Sequence, residues 1–332
     1  MMIIPSLTFS PIKFQNPKIP SLTDQQMKIA RLKPVGFSRS EKTINALKIT
    51  FKVIFAPFTL IGYIFYKCIS KFTSSRGICP PSHARLSHPE LMKALKELNG
   101  EEIRFGFHQG SILEGMFFNP VVPITKSKTV LICAGSGAPY EFCVIPMVKE
   151  FLSMGHRVMV FNYEGVGKSE GNRSENGVYR STEAAYQYLK QVKEFKDEEI
   201  VAWGYSLGSG AVSHLAQKHK MDVVLDRGFS TMSEVAAQMA PKGLKTIARL
   251  LFFIGSHFNN LKKLKKAKGR ILIAQGTQDW MMQEHLHGKK LHDTLPHAIF
   301  KRVNSSHEHG HKIWFSKGYD KEFIRQFLTS QP

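Results

Sequence analysis

The sequence predicts an α/β fold in which a mostly parallel central sheet is flanked by helices on both faces. Two observations carry this prediction. From residue 129 onward, short apolar runs typical of buried strands alternate with longer segments of helical character, which is the pattern of parallel sheets. The chain of 332 residues is 42% hydrophobic, which is enough apolar side chain to build one large buried core.

Residues 1–95 are predicted to form a basic N-terminal extension of helical and apolar character. Residues 1–72 hold 11 Lys and Arg against two acids. The segment 53–66 runs 14 residues without a charge, but a membrane-spanning helix needs about 20 apolar residues. Pro57 and Gly62 also interrupt the segment. We expect it either to lie at a membrane interface or to pack as a helix against the core.

The cysteines and the first residues of the chain indicate a cytoplasmic protein, with membrane association as an option. The four cysteines form no CxxC pair and show no spacing with histidines that is typical of zinc sites. No disulfide framework is apparent, which favours a reducing compartment. The opening residues lack the basic region and cleavage site of a secretory signal. Cys133 and Cys143 lie in apolar surroundings, and we expect them to be buried free thiols.

A short helix is predicted at Glu90–Leu98, and it ends at Asn99–Gly100. Two strands in hairpin arrangement follow, Ile103–Phe107 and Ile112–Phe118. The alternating part then supplies further strands at Thr129–Cys133, Arg157–Asn162, Ile200–Trp203, Val223–Leu225, Ile271–Ala274 and Ile299–Val303. Helices are expected after the first of these through Leu152, at Ser181–Lys193 and at Asp320–Leu328.

A candidate nucleophile lies in the motif G-x-S-x-G, which runs from Gly204 to Gly208 with Ser206 at its centre. The motif directly follows the apolar run IVAW and opens a helix-compatible stretch, so that a strand, a sharp turn and a helix succeed one another. Such a turn forces the serine into a strained conformation, and a Cβ beside it would collide with the approaching backbones. We therefore expect Ser206 to act as a nucleophile.

A base and an acid for this serine are predicted further along the chain. A serine hydroxyl needs a general base that is oriented by a third group, and in folds with this turn the chain order is serine, acid, histidine. Asp279 follows the strand ILIA, and His307 follows the strand AIFKRV. Both positions suit the carboxyl edge of a parallel sheet. His307 is the expected base, and Asp279 would hold its tautomer.

The sequence leaves alternatives open for both assignments. His309 and His311 lie close to His307 in the chain, and either can be the base instead. Asp226 follows the apolar run VVL and can be the acid. The other interpretation of Asp226 is an ion pair with Arg227.

Two backbone N–H groups are needed to stabilise the oxyanion of a tetrahedral intermediate. Leu207, directly after the nucleophile, is expected to supply one of them. The second is expected from the glycine turn AGSGAP after the first core strand, at Ser136 or Gly137. The glycines of this turn would let the backbone approach a ligand.

Two motifs for cofactor binding can be dismissed, and no cofactor or metal is expected. The stretch GSGAPY resembles a dinucleotide fingerprint, but Tyr140 stands where the third glycine is required. The stretch NYEGVGKS resembles a phosphate-binding loop, but Asn162 stands where the first glycine belongs. The segment that follows it, EGNRSENG, has a composition typical of a loop, whereas a phosphate-binding loop is followed by a helix.

Six ordered motifs together resemble the α/β-hydrolase superfamily over about residues 100–330; they are LICAGSGAP, VMVFNYEGVGKSEG, GYSLGSG, DRGFSTMSEVA, QGTQDW and SSHEHG. In particular, the chain resembles the CHLPS-type hydrolase-like proteins of intracellular bacteria. The resemblance implies an α/β-hydrolase fold and hydrolytic activity. The chain departs from the superfamily pattern at Ala134, where a histidine is usual, and at Ser305–Ser306, where a small glycine-rich step is usual.

The hydrolase domain is predicted over residues 96–332, with a small helical cap at about 231–268, where the superfamily inserts one. This stretch contains the apolar and basic segment LKTIARLLFFIGSHF, followed by LKKLKKAKGR. A cap of this composition can contact anionic lipid or shield an acyl chain. The alternative is a plain helix packed on the edge of the sheet.

The net charge of +20 is distributed unevenly. Besides the N-terminal extension, residues 235–278 hold nine Lys and Arg and no acid. Such regions attract an anionic membrane surface or an acidic partner, or they form a solvated basic surface. No motif typical of RNA or DNA binding is present, which makes nucleic acid the weaker choice.

Taken together, these features predict a serine hydrolase that cleaves an ester or a thioester, with a small-molecule or lipid acyl group as substrate. The reaction would proceed through an acyl-enzyme formed by Ser206, His307 and Asp279. A peptidase is disfavoured because the cap is small and no propeller domain is apparent. The alternative is a catalytically silent protein of the same fold that binds a membrane or an acidic partner through residues 1–72.

Overall fold

The fold is taken from a computed structural model that describes residues 30–32, 89–107, 111–136, 139–255, 258–307 and 321–330. The apolar segment 53–66 lies outside the described residues, as do Gly137, His309 and His311. In the parts of the chain that are described, no helix is both long and apolar enough to cross a bilayer.

The strands of the described chain form a single sheet. They are β1 (Ala30–Leu32), β2 (Gly100–Phe107), β3 (Ile112–Phe118), β4 (Thr129–Cys133), β5 (Arg157–Phe161), β6 (Ile200–Tyr205), β7 (Asp222–Asp226), β8 (Ile271–Gly276) and β9 (Ile299–Val303). Their order is β1-β2-β3-β5-β4-β6-β7-β8-β9. Only β3 runs antiparallel to its neighbours, β2 and β5, among the described strands.

Helices connect these strands. They are α1 (Pro89–Lys96), α2 (Ile145–Ser153), α3 (Glu175–Gln191), α4 (Gly208–Lys218), α5 (Met232–Met239), α6 (Lys245–Gly255), α7 (Asn260–Leu264), α8 (Gly288–Thr294) and α9 (Lys321–Thr329). Short 3-10 turns lie at Tyr140–Phe142, Asp197–Glu199 and Lys242–Leu244. The predicted α/β-hydrolase fold, with a mostly parallel sheet flanked by helices, is confirmed by this arrangement.

The core occupies both faces of the sheet. Along β6, Ala202 belongs to one buried apolar cluster, whereas Val201 and Trp203 belong to the other. Successive side chains of a strand point to opposite faces, so a strand that is apolar at every position must be covered on both sides. This is why the inner strands β4, β6 and β8, which are buried at every position, are mostly apolar along their length.

The structure corrects two local expectations. Helix α3 begins at Glu175, six residues before the predicted start, because the Ser174 side chain accepts a hydrogen bond from the Gly177 N–H at 2.9 Å and caps the helix. The stretch EGNRSENG is therefore partly helical rather than a loop. The second difference is β1, a strand within the N-terminal extension that the sequence pattern did not indicate, which pairs in parallel with β2.

The segment predicted as a cap contains α5, α6 and α7. Its two ends are held together by an antiparallel bridge between Thr231 and Asn259, and the Met232 N–H donates to the Phe258 carbonyl at 3.0 Å. Helices α5 and α6 contact each other beyond this bridge, while α7 returns to pack against α4. The chain thus leaves the sheet at residue 232 and returns at residue 258, and the two ends of this segment are paired with each other.

Candidate active site

Ser206 lies in the sharp turn between β6 and α4. Its φ angle is +50°, in the left-handed region that non-glycine residues rarely adopt. The Ser206 N–H donates to the carbonyl of Asp226 at 3.0 Å, which ties the turn to the end of β7. A conformation of this kind costs on the order of 1–3 kcal/mol and persists only where the surrounding fold enforces it.

The two glycines that flank this turn allow the backbones to approach closely. A Cβ placed on Gly208 would lie 1.9 Å from the carbonyl oxygen of Cys133, the last residue of β4. A Cβ on Gly204 would lie 2.3 Å from the carbonyl oxygen of Gly208 itself. Larger residues cannot occupy either position without displacing backbone, so the sequence motif follows directly from the packing of α4 against the sheet.

Asp279 and His307 are in direct contact. The Nδ1 atom of His307 lies 2.9 Å from Oδ2 of Asp279, and both side chains are buried. The other carboxylate oxygen, Oδ1, accepts hydrogen bonds from the N–H groups of Met281 (3.0 Å) and Met282 (2.7 Å). The carboxylate is therefore held in place by its own loop, and it leaves the Nε2 atom of the imidazole for a different partner.

Tyr205 connects the histidine loop to the serine turn. Its hydroxyl donates to the carbonyl of His307 at 2.7 Å, and its ring stacks on the imidazole with 5.5 Å between centroids. Because Tyr205 immediately precedes Ser206, these contacts hold His307 against the turn that carries the serine. The structure thus brings Ser206, Asp279 and His307 to the carboxyl ends of β6, β8 and β9, at one edge of the sheet.

Asp226, the alternative acid, is engaged elsewhere. Its Oδ1 atom lies 2.8 Å from Nη1 of Arg227 in a buried ion pair, and Asp279 is the carboxylate that contacts His307. The assignment of catalytic roles to these residues stays a prediction.

Arg227 forms a second link to the histidine loop. Its side chain is 2% exposed, its φ angle is +47°, and its Nη2 atom donates to the Ser305 hydroxyl at 2.7 Å. Its Nε atom donates to the Ser306 carbonyl at 3.1 Å. The guanidinium therefore binds both residues that precede His307. These two residues are the Ser305–Ser306 step at which the sequence differs from the superfamily pattern.

The turn after β4, which contains the predicted oxyanion donor Ser136, passes close to the serine at Gly135. A Cβ built on Gly135 would lie 3.5 Å from Cβ of Ser206 and 2.9 Å from the Tyr205 ring, so the turn after β4 passes beside the nucleophile. Ser136 follows in this turn and is exposed, whereas Leu207 is buried at the start of α4. The role of their backbone N–H groups as oxyanion donors stays a prediction.

Sequence reasoning missed Tyr205 and assigned Arg227 only an ion pair. Nothing in the chain pattern marks a tyrosine hydroxyl that will bond to a carbonyl 102 residues away. Cys133 and Cys143 are free thiols; Cys133 is buried and Cys143 half-buried. Burial raises the pKa of the Cys143 thiol to about 12 and raises that of Cys133 as well, so neither is activated as a nucleophile.

The family described as Chlamydia CHLPS protein (DUF818) matches residues 125–317, more than half of the chain, and includes the serine turn and both loops. The chain belongs to this family. The resemblance to α/β-hydrolases inferred from the six motifs is thereby confirmed.

Curated proteins that resemble this CHLPS-family chain include the lysophosphatidylserine lipase ABHD12 of Danio rerio, which is 27% identical over 204 residues, 54% of the chain and 50% of that protein. Protein bem46 of Schizosaccharomyces pombe is 27% identical over 139 residues, 41% of the chain and 46% of that protein. The chain spans about half the length of the curated relatives that it matches.

Solved structures share the fold of this CHLPS-family chain at low identity. An alpha-beta hydrolase from Vibrio vulnificus superposes with a TM-score of 0.65 at 19% identity, covering 78% of this chain and 92% of that one. The Pyrococcus furiosus esterase Pf2001 superposes with a TM-score of 0.58 at 17% identity, covering 74% and 96%. These likenesses establish the α/β-hydrolase fold.

Proposed function

We propose that the protein is a serine hydrolase that cleaves an acyl ester or thioester with Ser206 as nucleophile, His307 as base and Asp279 as the acid that orients the base. The observation that carries the proposal is the 2.9 Å contact between Asp279 and His307. It is supported by Tyr205, the residue before the serine in the strained turn, whose hydroxyl donates to the carbonyl of His307. The three groups follow one another in the chain as serine, acid and histidine, which is the order found in α/β-hydrolases.

The proposed reaction has two halves. The Ser206 hydroxyl oxygen attacks the carbonyl carbon of the substrate while Nε2 of His307 accepts the proton; Asp279 stabilises the resulting imidazolium through Nδ1. The N–H groups of Leu207 and Ser136 would bind the oxyanion. The tetrahedral intermediate collapses, the carbon–oxygen or carbon–sulfur bond breaks, and the leaving alcohol or thiol takes the proton from His307. Water then attacks the acyl-enzyme by the same route and releases the acid.

The relatives support an acyl ester as substrate class. One of them is named a lysophosphatidylserine lipase, and a solved structure of the same fold is named an esterase. In the described part of the chain, the segment between β7 and β8 that leaves the sheet contains the short helices Met232–Met239 and Lys245–Gly255. A cap of this small size favours a lipid-directed acyl hydrolase over a peptidase.

The test is to label the protein with a fluorophosphonate probe and to measure hydrolysis of short acyl esters, acyl thioesters and peptides. Ser206→Ala is expected to abolish labelling and to lower turnover by about a millionfold, because loss of a triad serine has that effect in a known serine hydrolase. Ser153→Ala is the matched control. Ser153 is exposed at the end of α2, and its replacement is expected to change neither labelling nor turnover.

The outcomes separate the proposal from its rival. Labelling that survives in Ser206→Ala removes this serine from the role. Wild-type protein that neither reacts with the probe nor hydrolyses any ester in the panel indicates a catalytically silent member of the fold instead. A mass increase of Ser206 equal to one acyl group, trapped by rapid acid quench, identifies the acyl-enzyme directly.

A further inference from the structure

Among the described residues, five of the eleven exposed large apolar side chains lie on the cap, and together we call them the cap face. This cap face consists of Met239, Leu244, Ile247, Leu250 and Phe253, which are between 51% and 68% exposed. From Leu244 onward its members recur every third residue, so that each is a surface neighbour of the next along the helix. Contiguous exposed apolar side chains of this kind mark a contact surface rather than an ordinary solvated helix.

Cations border the cap face. Lys242, in the 3-10 turn before α6, and Lys245, the first residue of α6, are exposed and lie between members of the face in the chain. Arg249 lies on the same helix, where its Nη2 atom contacts Glu234 at 3.1 Å. Three of the nine Lys and Arg of residues 235–278 therefore lie near the cap face, while the other six lie at 262–270, in and after α7. An apolar face that is bordered by positive charge complements a surface that is apolar below and anionic above, which is the organisation of an anionic bilayer.

The charge also argues against a second copy of the chain as the occupant. Two cap faces brought together would place the cations of 242–249 of one copy against those of the other, and like charges in contact oppose association. An acidic protein surface would match the cations but would leave the apolar side chains without a partner. The bilayer satisfies both features at once.

The cap face adjoins the candidate active site. The Gln238 side-chain N–H donates to the carbonyl of Trp280, the residue after Asp279, and its oxygen lies 3.1 Å from Nε2 of His287. Trp280 is itself 51% exposed, and Met239 follows Gln238 in the chain. The apolar surface of the cap therefore extends to the loop that carries Asp279.

We propose that the cap face docks on the surface of an anionic bilayer and turns the carboxyl edge of the sheet toward the lipid. Ile247, Leu250 and Phe253 enter the boundary between headgroups and acyl chains, while Lys242 and Lys245 bind anionic headgroups. Combined with the proposed function, on which this last step rests, the docking presents Ser206 to an acyl ester that is carried by the membrane.

The docking can be measured without turnover. The full chain is sedimented with vesicles of phosphatidylcholine containing about 30 mol% phosphatidylserine, and with vesicles of phosphatidylcholine alone. The triple variant Ile247→Ser, Leu250→Ser, Phe253→Ser is expected to lower the partition coefficient for the anionic vesicles at least about tenfold. The double variant Lys242→Glu, Lys245→Glu is expected to lower it as well, and raising the salt concentration will weaken binding of the wild type.

A matched control comes from elsewhere on the surface. Val121 and Val122 are 87% and 75% exposed and lie outside the cap. Val121→Ser, Val122→Ser is expected to bind vesicles as the wild type does. Melting temperatures of all variants verify that they are folded.

Trp280 reports whether the cap itself approaches the lipid. Its fluorescence is expected to shift to shorter wavelength when anionic vesicles are added, and the shift should disappear in Trp280→Phe. Vesicle binding that is unchanged in the triple variant, or binding without a Trp280 shift, overturns the proposal and assigns the contact to another segment such as residues 1–72. Tight binding of polyglutamate that the triple variant loses, or a dimer that the triple variant dissolves, overturns it in favour of an acidic partner or a second copy.

The vesicle experiment and the hydrolysis experiment can refute the docking and the proposed function separately. If Ser206 is not a nucleophile, the Ser206→Ala protein and the wild type still bind vesicles equally, and the docking stands while the proposed function falls. If the docking is wrong, a short soluble ester is still hydrolysed.

Discussion

At the residue scale, the candidate site depends on a buried arginine that reaches two loops. Arg227 contacts Asp226 at the end of β7 and both serines before His307, and its guanidinium lies 5.9 Å from the Tyr205 ring centroid. A planar guanidinium has five N–H donors and can bind all of these acceptors at once, whereas the ammonium group of a lysine can bind only some of them. Arg227 thus acts on the base through the loop that carries it, as a positioning residue.

Replacing Arg227 is expected to reduce both stability and reactivity. Arg227→Met removes the guanidinium from a buried carboxylate, which costs about 3–5 kcal/mol of unfolding free energy because an uncompensated buried charge is left. In the double variant Arg227→Met, Asp226→Asn that charge is absent, so stability should largely return. The rate of fluorophosphonate labelling should stay low, because the hydrogen bonds from the guanidinium to Ser305 and Ser306 are then lost. Chemical denaturation and labelling kinetics measure the two effects separately.

Recovery of stability and of the labelling rate together in that double variant would show that Arg227 has a structural role only. Arg227→Lys is the intermediate variant, because it retains the positive charge but replaces the planar guanidinium with a compact ammonium group. We expect it to be more stable than Arg227→Met and to label more slowly than the wild type.

At the element scale, the site is created by the close passage of α4 over the sheet. The first turn of α4 is formed by hydrogen bonds from Ser209 N–H to Ser206 and from Gly210 N–H to Leu207, both at 2.9 Å. The turn thus folds back directly behind the nucleophile, and the helix N-terminus favours negative charge that develops there. Only a residue without a side chain permits this approach at Gly208.

Gly208→Ala is expected to damage the site more than the fold. The added methyl group would meet the Cys133 carbonyl oxygen at 1.9 Å, so α4 must move away from β4. Overpacking of this kind costs about 1–3 kcal/mol, and a displacement of Ser206 by about 1 Å lowers its reactivity on the order of 100-fold. Gly243→Ala is the control, since nothing lies within 4 Å of a Cβ at that position. A Gly208→Ala protein that is labelled as fast as the wild type would contradict this account.

At the scale of the whole molecule, two buried histidines and one half-buried histidine couple the fold to pH. Burial lowers the pKa of His156 and of His287 to about 4, and that of His214 to about 3. For His156 the positive charges of Lys128 and Arg325 act in the same direction. Their common effect is that the folded protein keeps these imidazoles neutral at a pH where the unfolded chain protonates them.

Acid is therefore expected to destabilise the protein between about pH 6.5 and pH 4. Below the ordinary histidine pKa of 6.5 the unfolded chain binds a proton that folded His156 does not accept until about pH 4. The contribution to stability is complete above 6.5 and is lost as the pH falls, by at most about 1.4 kcal/mol per pH unit for each histidine. Denaturation of the wild type and of His156→Asn at pH 7 and pH 5 measures it; the variant should lose less stability across this interval. The exposed His297→Asn is the control, and equal losses in all three proteins would refute the prediction.

Much of the strand architecture could be read from the chain because its signals are local. Thr129–Cys133 and Ile299–Val303 were predicted with the bounds that the structure gives. The first is a buried, mostly apolar run, and the second has apolar residues at both of its ends. Boundaries that depend on a side-chain contact were harder to place. The predicted start of α3 was six residues too late. The helix begins where the Gly177 N–H donates a hydrogen bond to the Ser174 side chain, in a stretch whose composition is typical of a loop.

The sequence by itself determined the fold class, the family and the serine turn, because apolar periodicity and the glycines of a tight turn are written in neighbouring residues. Only the tertiary structure decided which carboxylate meets His307, how Tyr205 and Arg227 hold its loop, and that the apolar side chains of α6 face outward. Those facts concern residues far apart in the chain, whose distances are set by the order and twist of strands across the sheet and by no pattern along a single segment.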